Sequence, residues 1–234
     1  MLLSSLSAMC EVDLKKVIAL STLRQLGFMM FSLSLGMKDL AFFHLVLHAL
    51  FKSLIFLCAG AYIHFFNGAQ DSRAILNLNK FSNLTSVYFL YSNLSLMGLF
   101  FLSGFYSKDS IIERFSVDFV RGLVLILVYL RVAITAFYTI RLLKTCTLIR
   151  SKSFMLYRGK IEDYIIFTPI RFLFNFSLIG GSLITWVYFP FSFNFIFFYN
   201  KLLVRFILMF SLLRFTFVYN NLIPNKVLEG LAKI

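Results

Sequence analysis

One apolar segment, residues 40–63, constrains the fold of this chain more than any other stretch. It exceeds the roughly 20 apolar residues that an α-helix needs to cross a bilayer. His44, His48 and Lys52 lie inside it at four-residue spacing, so they share one face of a helix. Ionisable groups at membrane depth are costly and often line ion or proton paths. They could equally pack against neighbouring helices as satisfied polar contacts, and the spacing leaves both interpretations open.

The composition places the chain among integral membrane proteins. Hydrophobic residues make up 60% of the chain and charged residues only 14%, whereas soluble domains are about half apolar and about a quarter charged. The apolar runs are long and continuous, which favours spanning helices over the alternating segments of a membrane β-barrel. We therefore predict an all-α integral membrane protein that folds as a multi-span helical bundle.

The net charge of +13 does not indicate a nucleic-acid partner. The basic residues lie between apolar runs or at their ends, where such residues set orientation and meet anionic phospholipids such as cardiolipin. Three cysteines, Cys10, Cys58 and Cys146, lack metal-ligand spacing. The sequence also lacks a Gly-rich phosphate loop and a nucleotide fingerprint. We expect neither a metal site nor a redox cofactor on this chain.

A second informative stretch, residues 81–115, is an apolar run that is interrupted in its middle. Ser103 and Gly104 favour the interruption, since Gly lowers helix stability by about 1 kcal/mol relative to Ala, and Lys108 and Asp109 follow it. In one interpretation the helix ends near Gly104 and the charges lie in an ordinary loop. In the other, a broken membrane helix lines a wet cavity with unwound backbone. Periodicity does not decide between them.

The other runs complete a bundle of about six spans, at roughly 20 residues each. Residues 1–12 are too short to span and are predicted to be the second half of a split transmembrane helix. Arg131 lies in the middle of a span and either faces the bundle interior or snorkels toward an interface. Gly180 and Gly181 lie in a later span and are small enough to admit a close helix neighbour. Residues 144–234 are predicted to hold the C-terminal transmembrane helices and a short tail.

Four motifs occur in one order with characteristic separations. They are EVDLKKVIALSTLRQLG at 11–27, HLVLHALFK at 44–52, QDSR at 70–73 and LSGFYSKD at 102–109. Together they resemble the DLKK, H-x-x-x-H-A-x-x-K, QD-x-R and SKD segments of NADH dehydrogenase subunit 5. This family is the distal antiporter-like subunit of respiratory complex I. The detailed resemblance covers about residues 9–115.

The resemblance implies a fold and a set of site residues. Each antiporter-like subunit has two pseudo-symmetric bundles, each with one discontinuous helix and a central axis of lysine, histidine and acidic groups. Residues 13–143 correspond to the second bundle, with the histidine–lysine helix at 40–63 and the broken helix at 81–115. The side chains that match the proton-translocating groups of the family are Lys52, His48, His44, Lys108 and Asp109.

The chain also departs from the family pattern. The family commonly has a proline where this chain has Phe100, so a break would rest on Gly98, Ser103 and Gly104. Arg131 has no counterpart that can be placed. The first bundle is missing, which predicts the C-terminal portion of a split subunit whose N-terminal half lies on a separate chain.

The resemblance implies a function as well. We expect a membrane-arm subunit of proton-pumping NADH:ubiquinone oxidoreductase in the mitochondrial inner membrane, or the plasma membrane if the source is bacterial. Flavin, iron–sulfur clusters and quinone are expected on other subunits, and the other membrane-arm subunits are the expected partners. A cation/proton antiporter subunit and a non-pumping structural membrane subunit are the alternatives.

Overall fold

The computed structural model describes residues 2–66, 68–72, 83–117, 122–143, 164–188 and Phe206. The helices of this part are α1 (Leu2–Cys10), α2 (Leu14–Ser34), α3 (Lys38–Phe65), α4 (Asn83–Met97), α5 (Ser103–Val117), α6 (Gly122–Leu143) and α7 (Tyr164–Tyr188). No strand is present in these segments, which confirms the all-α prediction. The predicted span at 200–219, apart from Phe206, and the C-terminal tail lie outside the described residues.

Three of the described helices, α2, α3 and α7, are long and apolar enough to cross a membrane. The longest, α3, has 28 residues and therefore extends roughly 42 Å at about 1.5 Å per residue. By the same measure α1, with nine residues, covers roughly 14 Å and is too short to span. The predicted multi-span helical bundle is therefore confirmed, while the assignment of residues 1–12 to half of a split helix stays a prediction.

Helix α3 is the centre of the bundle, because α2, α4, α5 and α7 all pack against it. Its apolar residues Leu47, Phe51 and Leu54 are completely buried within one core cluster. Large apolar side chains on the outer faces of other helices stay exposed, Phe172 at 63% and Trp186 at 80% among them. Such faces suit contact with lipid, because lipid tails are as apolar as these side chains and exposing them to lipid carries no hydrophobic cost.

The interrupted segment consists of the two helices α4 and α5, joined by residues 98–102. Gly98 has φ +88°, a left-handed conformation that glycine adopts without steric cost and that ends α4. Phe101, next to the position where the family has proline, also has a positive φ of 64°. The interruption is therefore a break between two helices, and the interpretation that places Lys108 and Asp109 in an ordinary loop is wrong. The break lies before Ser103, at which α5 begins.

Gly104 has a different role from the one expected of it. It lies inside α5, where a methyl group at its Cα would lie 1.8 Å from the Ser95 carbonyl oxygen. The missing side chain therefore lets α5 approach the backbone of α4. Gly181 does the same on α7, since a methyl group there would lie 2.7 Å from Ser103 Cα. The expectation that this part of α7 admits a close neighbour is confirmed.

Candidate proton-translocation site

The histidine–lysine stripe of α3 faces the protein interior. His44 is 0% exposed, His48 is 7% exposed and Lys52 is 4% exposed. The two imidazole ring centroids are 6.1 Å apart, one helical turn along the same face. His48 also packs edge-on against Phe51, with 5.4 Å between the ring centroids. The three ionisable groups thus form one buried row rather than a solvated helix face.

Lys52 is held by polar groups of α2. Its Nζ donates to the Ile18 carbonyl oxygen at 3.3 Å and also to Ser21 Oγ. Ser21 Oγ in turn donates to the same Ile18 carbonyl at 2.6 Å. In the described part of the chain, no carboxylate forms a salt bridge with Lys52. A buried ammonium with neutral partners pays a large desolvation cost, so it can release its proton when neighbouring charges change.

The helix break creates a second cation site at Lys108. This side chain starts on α5, is 6% exposed and reaches back to donate to the Leu96 carbonyl oxygen near the end of α4. The last carbonyl groups of a helix have no partner within that helix and carry partial negative charge. The end of α4 therefore offers an acceptor that an unbroken helix would not have. Lys108 is accordingly part of the interior, and both Lys108 and Asp109 lie on α5 and not in a loop.

A small cavity adjoins this second cation site. Asp109 is half-buried at its wall, next to Lys108 on the same helix. The cavity is lined by Met97, Gly98, Lys108, Asp109, Ile112, Arg131, Val132 and Thr135. An acidic and a basic side chain therefore meet Arg131 of α6 around one cavity beside the helix break.

A hydroxyl group on α5 contacts the histidine–lysine stripe. His44 Nδ1 lies 2.8 Å from Ser107 Oγ, and Ser107 immediately precedes Lys108 on α5. The structure thus brings all five predicted site residues into one region between α2, α3, α5 and α6. A serine hydroxyl can accept and donate hydrogen bonds at once, so it can take part in proton transfer between its neighbours.

Sequence reasoning assigned no role to Ser21, Gln25 and Ser107. All three stood inside the motifs used for the resemblance, and all three are buried. The sequence feature that could have indicated them is a polar residue within a predicted membrane segment. Such a residue predicts a buried polar contact, but the sequence does not show which helix supplies the partner.

Arg131 faces the bundle interior, and the snorkelling interpretation is wrong. The side chain is 2% exposed and its Nη2 donates to Gln25 Oε1 at 2.5 Å. Its guanidinium carbon lies 3.3 Å from the centroid of the Phe28 ring. On α2, Arg24 is also completely buried and donates to the Tyr138 hydroxyl at 2.8 Å. Helices α2 and α6 are therefore joined by two buried arginines.

Two of the sequence motifs meet at one end of α2. The Leu14 N–H donates to the Gln70 carbonyl at 2.9 Å and the Ser72 N–H donates to the Val12 carbonyl at 3.1 Å. Asp13 also forms a salt bridge with Lys16 at 2.9 Å, and this contact lowers the pKa of the Asp13 carboxyl group. The pairing anchors the start of α2. Arg73 of the QDSR motif lies outside the described residues.

Comparison with known proteins places this geometry in a family. A family profile described as "NADH:quinone oxidoreductase/Mrp antiporter, TM" matches residues 1–136. "NADH-ubiquinone oxidoreductase chain 5" of Locusta migratoria is 43% identical over 190 residues, which cover 81% of this chain and 33% of that protein. The protein of the same name from Lumbricus terrestris is 42% identical over 186 residues, which cover 80% of this chain and 32% of that protein.

A solved structure is similar in fold. The Mrp complex from a Dietzia species contains a chain that superposes with a TM-score of 0.66 and 18% identity, over 87% of this chain and 47% of that chain. The present chain spans about one third of the length of the two animal relatives. The resemblance noted from the motifs is confirmed, and the chain belongs to the NADH:quinone oxidoreductase/Mrp antiporter transmembrane family.

Proposed function

We propose that this chain contributes a proton half-channel to the membrane arm of a proton-pumping NADH:ubiquinone oxidoreductase. The observation that carries the proposal is the buried polar row that starts at Lys52, continues through His48 and His44, and meets Ser107 beside Lys108. The names of the animal relatives support the enzyme assignment. Their animal sources support a mitochondrial inner membrane as the location.

Each group in the row has a distinct task in this proposal. Burial disfavours the ammonium form of Lys52, so this lysine gives up a proton when a positive charge approaches and regains it when that charge leaves. His48 and His44 can each take up and release a proton at a ring nitrogen. Lys108 serves as the lateral exit group, and movement of the Asp109 carboxylate would hold or free its proton.

The test for the central group is Lys52→Ala in the complete membrane complex. We expect proton pumping to fall by about 100-fold or more, the lower end of the contribution of a positioned acid–base group, and coupled quinone reduction to fall with it. Proton uptake into inner-membrane vesicles, followed with a pH-sensitive dye during NADH oxidation, measures the first quantity. Lys38→Ala is the matched control, because Lys38 is an exposed lysine of the same helix.

The test for the exit group is Lys108→Ala under the same conditions. We expect a comparable loss of pumping, while NADH oxidation by an artificial acceptor stays intact because the redox centres are proposed to lie on other subunits. His64→Ala serves as the control for His44→Ala and His48→Ala, since His64 is exposed on α3. Unchanged proton stoichiometry in both lysine variants would refute the half-channel.

The fold similarity to an Mrp complex favours one alternative, a cation/proton antiporter subunit. A quinone-site inhibitor separates the two functions, because pumping driven by quinone reduction would stop and antiport driven by an ion gradient would continue. A purely structural subunit is the remaining alternative. It predicts that neither lysine variant changes pumping once assembly of the complex is normal.

Partners and cofactors follow from the same proposal. The chain would bind the other membrane-arm subunits, including a separate chain that carries the N-terminal half, and anionic phospholipids such as cardiolipin. Flavin, iron–sulfur clusters and quinone would be bound elsewhere in the complex. Purification of the complex followed by mass spectrometry of its subunits tests the split-subunit prediction, since a single full-length polypeptide would contradict it.

A further inference from the structure

Arg131 stands at one end of a hydrogen-bonded chain that runs across four helices. Its Nη2 on α6 donates to Gln25 Oε1 on α2 at 2.5 Å. The same oxygen lies 3.4 Å from His44 Nε2 on α3, and His44 Nδ1 lies 2.8 Å from Ser107 Oγ on α5. The order Arg131, Gln25, His44, Ser107 therefore connects a guanidinium group to the residue before Lys108.

The orientation of the Gln25 amide follows from the chemistry of its partner. A guanidinium group has donors only, so the atom of Gln25 that faces Arg131 must be the carbonyl oxygen. Gln25 Nε2 has no hydrogen-bond partner within the described part of the chain. Among the described contacts, the hydrogen bond from Arg131 therefore determines the orientation of the Gln25 side-chain amide. Stacking of the guanidinium on Phe28 holds the arginine itself in place.

The orientation of Gln25 determines the tautomer of His44. The Gln25 oxygen can only accept, so a hydrogen bond with His44 requires the proton on Nε2. Nδ1 of the neutral ring is then an acceptor, and the Ser107 hydroxyl donates to it. His44 thus presents its unprotonated Nδ1 toward Ser107 on α5 and its Nε2–H toward Gln25 on α2.

We infer that Arg131 is a positioning residue of the proton path, which holds His44 in the Nε2–H tautomer through Gln25. The inference rests on the proposed proton-translocating function of His44. Without Arg131 the Gln25 amide can turn by half a rotation and offer its NH₂ group to His44 Nε2. The imidazole proton would then move to Nδ1, and the ring would no longer accept a proton from the Ser107 side.

Arg131 also contributes a fixed positive charge to this region. The charged and titratable groups that act on His44 are Lys108 of α5, Arg131 of α6 and His48 of its own helix. A methionine at position 131 would remove both the charge and the hydrogen-bond donors, whereas a lysine would keep the charge and one type of donor. A glutamine would keep an NH₂ donor without the charge. Comparing the glutamine and lysine variants therefore separates the two contributions.

The experiment uses the assembled complex with Arg131→Met, Arg131→Gln and Arg131→Lys. We expect Arg131→Met to lower the pumping rate by about tenfold, the effect of losing one buried hydrogen bond, and to change its pH profile, while the KM for quinone stays the same. Arg131→Gln retains an NH₂ donor for the Gln25 oxygen without charge, and Arg131→Lys retains both properties. Partial recovery in both variants is expected if Arg131 acts by orienting the amide. Arg171→Met, at an exposed position on α7, is the control.

A double variant sharpens the test. Gln25→Met removes the link between the guanidinium and the imidazole, so Gln25→Met with Arg131→Met should be no worse than either single variant. Fully additive losses, or an Arg131→Met complex that pumps with an unchanged pH profile, would overturn the inference. Lys52→Ala, measured in parallel, identifies which idea has failed. If Lys52→Ala pumps normally, the proposed function itself is wrong. If Lys52→Ala abolishes pumping while the Arg131 variants behave against expectation, only the role assigned to Arg131 is wrong.

Discussion

Substitution of Gly104 by alanine tests the packing that produces the broken helix. A methyl group at this position would lie 1.8 Å from the Ser95 carbonyl oxygen and 2.9 Å from the Ser95 carbonyl carbon. Both atoms belong to the backbone of α4, so no side-chain rotation can relieve the contact. Helices α4 and α5 would have to move apart at the point where Lys108 reaches the Leu96 carbonyl.

The magnitude follows from the size of that contact. A Cβ atom essentially never lies closer than 3.0 Å to a neighbouring heavy atom, and here it would lie 1.8 Å from the Ser95 oxygen. The two helices must therefore separate by more than about 1 Å in a close-packed interior. Inserting a methyl group into a packed core costs about 1–3 kcal/mol. Loss of the Lys108 hydrogen bond adds the cost of an unpaired buried polar group, about 1–3 kcal/mol. We expect a total loss of about 2–6 kcal/mol.

The assay measures stability and function in the assembled complex. Gly104→Ala should lower the midpoint of thermal inactivation and reduce proton pumping together. Gly60→Ala is the matched control, because no atom lies within 4 Å of a methyl group added at Gly60 on α3. Alanine at an exposed helical site should be neutral or stabilising by up to about 1 kcal/mol. A Gly104→Ala complex as stable and as active as the Gly60→Ala complex would refute the packing argument.

Two further predictions concern other parts of the fold. Gly181→Ala should destabilise the contact of α7 with α5 by about 1–3 kcal/mol, because its methyl group would lie 2.7 Å from Ser103 Cα. Gly180→Ala is the control: its methyl group would meet side chains no closer than 3.5 Å, so this variant should be near neutral in the same thermal assay. Lys16 lowers the pKa of Asp13, so the stabilisation from this carboxylate is present above its unfolded pKa of about 3.9 and is lost as pH falls through the lower folded pKa. Asp13→Asn should therefore reduce the loss of stability below about pH 4. Glu11→Gln is the control, and the same dependence of stability on pH for Asp13→Asn and the unsubstituted chain would contradict the prediction.

The histidine–lysine stripe could be predicted from the sequence because its determinants are local. Four-residue spacing fixes a common face on any helix, and the apolar surroundings predict burial. Both expectations are met at His44, His48 and Lys52. Their partners could not be predicted, since the contact of His44 with Ser107 joins residues 63 positions apart. Such contacts depend on how helices pack and not on the pattern within one helix.

The location of the helix break shows a different limit of sequence reasoning. Gly104 was expected to interrupt the helix because glycine weakens helices. In the structure Gly98 supplies the left-handed turn, whereas Gly104 allows a close backbone contact inside α5. The two roles of glycine give the same signal in a sequence. Only the neighbour at Ser95 distinguishes them, and that neighbour becomes known once the helices are packed.

Arg131 illustrates the same point for a charged side chain. The sequence allowed an interior or a snorkelling position, because both are compatible with a long cation in an apolar span. The interior position depends on Gln25 and Phe28 of α2, which lie more than 100 residues earlier in the chain. A sequence pattern that covers one helix holds no information about these partners.

The broken helix and the candidate cation site depend on each other. Position 100, where the motif resemblance leads one to expect a proline, is Phe100 in this chain. Phenylalanine keeps its N–H donor, so the backbone could continue as a helix through this position. The left-handed residues Gly98 and Phe101 stop it, and Lys108 then satisfies the carbonyl of Leu96 that the break leaves near the end of α4. The ammonium is stabilised by the helix end that exists only because of the break. If Lys108 gains and loses a proton, as proposed, each change would also alter the stability of this junction and so link protonation to the packing of α4 against α5.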